Sequence, residues 1–94
     1  MPRLTDPQIE EALRALPGWR RDGDALVRDL RFRDFTEAFG FLAQLATIQE
    51  RLDHHAAISN TYADVSLRVW SHDAGGVTER DIELARRVNE RAPA

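Results

Sequence analysis

The chain has no cysteine among its 94 residues, so neither disulfides nor thiolate metal sites can support the fold. Glycine and proline are sparse, 5 and 4 residues, and with a 43% apolar share this excludes disordered, collagen-like and low-complexity structure. No apolar run is long enough for a signal peptide or a membrane span, which makes the cytoplasm the default compartment. Neither sign of charge dominates. The 13 basic and 16 acidic side chains leave a net charge of −3, which argues against nucleic acid or a membrane surface as partner. A chain this short forms a single domain, residues 1–94, and buries only about 60–65% of its unfolded surface. With a thin core and no covalent staple, oligomerisation is the expected support.

What the sequence does have is clear periodicity. Thr5-Asp6-Pro7-Gln8 starts a helix, Ile9, Ala12, Leu13 and Leu16 recur at helical spacing, and Pro17-Gly18 stops it. Trp19 opens an extended piece, Asp22-Gly23-Asp24 marks a hairpin, and a return strand is expected over about 25–33. Arg28 breaks the alternation in the first half of that strand. Asp34-Phe35-Thr36-Glu37 has the form of a capping box and begins the longest helix, which reaches about Leu52. Phe35, Ala38, Phe39, Leu42, Leu45, Ala46 and Leu52 form its stripe, widened by Phe41 and Ile48. One small sheet does not need so much apolar surface, so the excess suggests a helix-to-helix subunit contact.

A short strand fits within 56–61, and Tyr62 to Trp70 alternates cleanly, with Val65, Leu67 and Val69 on one face. After the turn Ser71 to Gly76, Thr78 and Asp81 stand at capping-box spacing, and Val77 and Ile82 at staple spacing, to open the last helix. Trp19 and Trp70 are read as packing residues. This order implies an α+β fold, a four-stranded antiparallel sheet with three helices packed on one face.

The three histidines fall in two places: His54 and His55 after the long helix, His72 at the end of the long strand. Imidazole both gives and takes protons near its ordinary pKa of about 6.5, so three of them around one cleft suit proton transfer to a polar heterocycle. Structural readings stand beside the chemical one. A histidine pair ending a helix complements the helix dipole, His72 fits a solvated strand end, and Asp81 is the capping partner of Thr78. Asp53 is unfavourable to the dipole where it stands, which marks it as a functional candidate. A three-histidine zinc site is the minor reading, because adjacent residues such as His54 and His55 point about 100° apart in a helix and to opposite faces when extended.

Glu50-Arg51-Leu52-Asp53-His54-His55, Asn60, Tyr62, and the block from His72 to Ala85 resemble the signature of the pterin-4a-carbinolamine dehydratases. Pro17-Gly18-Trp19, the Phe32-to-Phe39 segment and the long helix fit the same family, so the resemblance spans nearly the whole chain. It implies a hydro-lyase that converts 4a-hydroxytetrahydropterin to quinonoid dihydropterin plus water, in recycling of the tetrahydrobiopterin used by aromatic amino acid hydroxylases. It also implies no metal and no organic cofactor, and assembly as a homodimer, or of dimers into a homotetramer. By resemblance, His54, His55 and His72 are the catalytic or substrate-contacting imidazoles. Asp81 is the supporting acid, with Asp53 beside it, and Ser71, His72, Asp73 and Ala74 line the pterin pocket.

Two positions depart from the family. Where it commonly has Pro directly after the histidine pair and Trp two residues on, this chain has Ala56 and Ile58. The first loses a fixed φ, and the second trades a flat wall for an aliphatic one, so altered pterin binding is expected. Two other readings stay open. One is a non-catalytic interaction or assembly protein on the same fold; the other is a pterin-binding protein in another pathway, such as molybdopterin handling.

Overall fold

In the computed structural model, which describes residues 1–93, each helix begins where a side chain can satisfy its free N–H groups. Helix α1 (Asp6–Arg14) starts at Thr5, whose hydroxyl accepts from Gln8 N while Gln8 Oε1 accepts from Thr5 N. Helix α2 (Phe35–Leu52) starts at Asp34, which accepts from Glu37 N at 2.9 Å. The return arm expected of a capping box goes one residue upstream instead, because Glu37 Oε1 takes Arg33 N at 3.0 Å. Helix α3 (Glu79–Arg91) has the complete Thr78–Asp81 box, and both staple residues, Val77 and Ile82, are buried.

The strands are β1 (Trp19–Asp22), β2 (Ala25–Arg31), β3 (Ala57–Thr61) and β4 (Asp64–Val69). They form one antiparallel sheet in the order β1-β2-β4-β3. Leu26 pairs with Val69 and Leu30 with Val65, so their side chains share one face, packed against Ile9, Phe41, Leu45, Ile82 and Val88 of the helices. Burying each such side chain is worth about 1.5–3 kcal/mol. The opposite face carries ion pairs across strands: Arg20 with Asp29, Arg31 with Asp64, and Arg68 with Asp22. Val27 lies between Arg20 and Arg68 on that face and is buried there, in keeping with arginine stems covering apolar surface.

Several expectations change in detail. Arg28 does not disturb the register; it occupies a core-side position in the middle of β2, opposite Trp19 and Leu67. Its guanidinium donates to Pro17 O at 2.9 Å and to Asn89 Oδ1, and Asn89 Oδ1 also takes Trp19 Nε1. Tyr62 belongs to the β3–β4 turn with φ 54°, so β4 begins at Asp64. Helix α2 has two stripes rather than one. Ala38, Phe41, Leu45, Ile48 and Gln49 face the core, while Phe35 and Phe39 are exposed, their rings 5.6 Å apart. No helix among the described residues is long and apolar enough to cross a membrane.

Candidate active site

The end of α2 and the end of β4 meet at α3, and the meeting point is polar. Asp53 closes α2 in the left-handed conformation, φ 50°, which a short Asx side chain tolerates better than most. The chain turns there, and the His54 ring passes into the protein, where His54 is only 8% exposed. Its Nε2 donates to Asp81 Oδ1 at 2.5 Å. Asp81 is fully buried in the first turn of α3, and its other oxygen accepts from Thr78 N at 2.8 Å and Ser71 Oγ at 2.9 Å. Since the Ser71 proton goes to Asp81, Thr78 Oγ1 donates to Ser71 Oγ across 2.7 Å. Three donors and the positive end of α3 thus compensate the buried carboxylate. One Asp81 oxygen thus serves the helix cap and Ser71, and the other holds His54.

With Nε2 committed, Nδ1 is the His54 nitrogen without a partner among the described residues, and the ring lines an open cleft of about 340 Å³. Asp53, His55, Trp70, His72, Asp73 and Arg80 complete that cleft. His55 is exposed and bonds to Glu50 Oε2 at 2.8 Å. His72 stacks on Trp70 with centroids 4.4 Å apart and planes at 17°. Arg80 pairs with Asp73 at 2.8 Å, which ties the 71–76 turn to α3.

All three histidines therefore border one space, with Asp53 and Asp73. The other expected lining residues do not. Ser71 is turned inward and serves Asp81. Ala74 is held in the turn by its N–H to Ser71 O and does not reach the cleft. Ala56 and Ile58 also lie outside it; Ile58 is 44% exposed on the edge strand β3, so within one chain it is no wall for a ligand. Trp70, read as packing from sequence, is the aromatic wall. Arg80 was not foreseen. Among the described residues, no three His, Asp or Glu side chains are grouped so as to hold a metal ion.

Fold and site together define a class of small α+β proteins with a histidine-lined cleft braced by a buried aspartate. Comparison with known proteins is specific. The family described as "Pterin 4 alpha carbinolamine dehydratase" matches residues 2–91, and the chain belongs to it. A Rhodopseudomonas palustris protein named "Putative pterin-4-alpha-carbinolamine dehydratase" is 51% identical over 93% of this chain and 88% of its own length. A Brucella ovis protein of the same name is 48% identical over 93% of this chain and 92% of its own. The crystal structure of a Brucella melitensis transcriptional coactivator/pterin dehydratase superposes with a TM-score of 0.94 at 45% identity, over 97% of this chain and 99% of that one. A pterin dehydratase-like RuBisCO assembly factor of the alpha-carboxysome shares the fold at a TM-score of 0.71 and 22% identity, over 82% and 92%.

Proposed function

We propose that the chain is a 4a-hydroxytetrahydropterin dehydratase working in the cytoplasm in tetrahydrobiopterin recycling. The observation that carries this reading is the His54–Asp81 pair at a cleft shared with His55 and His72. The reaction breaks the C4a–O bond and the N5–H bond. The oxygen leaves with an added proton as water, and the N5–H electrons form the C4a=N5 bond. His54, oriented through Nε2 by Asp81, presents the basic Nδ1 that takes the N5 proton. His72, across the cleft, supplies the proton to the leaving hydroxyl. His55 orients the ring, and Trp70 backs the His72 imidazole by stacking on it. Acid and base are each worth about 10²–10⁴-fold. All of this is done by side chains, with pterin as substrate and no metal or organic cofactor.

The working unit is a homodimer, or a homotetramer of two dimers, joined through the exposed Phe35–Phe39 face of α2. That same face is what favours the second reading, a non-catalytic assembly protein on this fold. Turnover separates them. The test follows dehydration of chemically generated 4a-hydroxytetrahydropterin optically, with wild type, His54→Ala and His72→Ala. Acceleration that His54→Ala abolishes supports the enzyme. Full activity of His54→Ala with loss in His72→Ala would reverse the assignment, and a folded wild type without acceleration would favour the assembly reading.

A further inference from the structure

We propose that Gln49 is a positioning residue that fixes the histidine pair by gripping the backbone on both sides of it. Residues 53–56 belong to no helix or strand, so their conformation depends on individual hydrogen bonds. At the near end, Gln49 O accepts His54 N at 3.1 Å. At the far end, Gln49 Oε1 accepts Ala56 N at 2.7 Å. One residue therefore brackets His54 and His55 and leaves the segment little room to swing.

The placement of Gln49 argues that the second bond has a purpose. It stands on the core-facing stripe of α2 with Leu45 and Ile48, 5% exposed, where an aliphatic side chain would pack without cost. Burying an unpaired amide is costly, so glutamine is tolerable there because its oxygen meets a donor. Ala56 supplies that donor. A proline at the same position would instead hold the chain by its fixed φ and offer no N–H.

The kinetic part of the test rests on the dehydratase reading; the exchange part does not. Wild-type Ala56 N–H should exchange at least about tenfold more slowly than the exposed amides nearby, as one intact hydrogen bond implies. Gln49→Met keeps the packing and removes the acceptor. It should abolish that protection and lower kcat about tenfold with KM little changed. In an Ala56→Pro background, the same Gln49→Met change should cost less than about twofold, because no N–H remains to be held. Unprotected Ala56 N–H in the wild type overturns the proposal, as does an equal loss of kcat in both backgrounds. If Gln49→Met does not fold, Gln49→Glu, which keeps an acceptor, must retain the protection or the proposal fails. A wild type without turnover would sink the dehydratase reading, while the exchange result would still decide the role of Gln49.

Discussion

Removing the buried carboxylate of Asp81 tests the fold and the site at once, and two substitutions separate them. Asp81→Ala orphans three buried donors: Thr78 N, Ser71 Oγ and His54 Nε2. Each orphan costs about 1–3 kcal/mol, so the sum is about 3–6 kcal/mol after relief of the buried charge. A domain of this size has only about 5–14 kcal/mol of stability. At about 4–8 °C per kcal/mol, the melting temperature should fall by at least about 12 °C. Asp81→Asn has the same shape and should fold. Its amide oxygen can serve Thr78 and Ser71, which turns its NH₂ toward His54. Nε2 must then accept, and the ring proton moves to Nδ1, the nitrogen left for the cleft. A base with its proton on the wrong nitrogen should lose about 10²–10⁴-fold in kcat. Thermal melts followed by circular dichroism, with the optical dehydration assay, read both effects. An alanine variant melting within about 4 °C of wild type, or a fully active asparagine variant, would refute the reasoning.

Gly18 has φ 86°, and a Cβ there would lie 2.7 Å from Arg28 Cζ, so Gly18→Ala should cost about 1–3 kcal/mol in urea unfolding. Gly23→Ala, with φ 61° and open space around it, should cost less, and equal losses would show that contact with Arg28 is not what matters. The Asp22 carboxyl is held below its ordinary range by the Arg68 hydrogen bond and charge, and that of Asp29 by the Ser66 hydroxyl and then Arg20. A pKa lowered by folding stabilises above the ordinary carboxylate value of 3.8, and the gain is lost as pH falls through the lower folded value. Arg68→Met and Ser66→Ala should therefore melt below wild type at neutral pH and level with it near about pH 2; a gap that persists in acid would contradict this. Phe39→Asp should shift sedimentation to the monomer, and an unchanged mass would remove the Phe35–Phe39 face from the subunit contact.

Much of this was readable because short-range chemistry settles it. Thr78-Glu79-Arg80-Asp81 announces its cap, and the alternation through Val65, Leu67 and Val69 announces its buried face. The same parity carried two residues further points Ser71 inward, so its placement outside the cleft was available from spacing alone. Trp70, one step out of phase with Val69, falls on the other side, toward His72. A polar residue on a buried stripe, four positions after Leu45, was likewise a signal at Gln49. Which stripe of α2 faces its own core was not legible, since Phe35 and Phe39 are as apolar as Phe41 and only packing chooses between them. Arg80 carries no periodic mark; it reaches the cleft because the 71–76 turn folds back onto α3 and brings Asp73 beside it.

The two tryptophans give this chain an optical division of labour. Trp19 is sealed in the core, its Nε1 donating to Asn89 at 2.8 Å, while Trp70 is half-buried beneath the His72 ring. Emission from the first follows the integrity of the fold, and emission from the second follows whatever enters the cleft. A ligand that enters the cleft beside the stacked Trp70–His72 pair would change the redder, solvent-facing component and leave the bluer one untouched. Occupancy and unfolding can then be followed in one cuvette, without a label and without turnover.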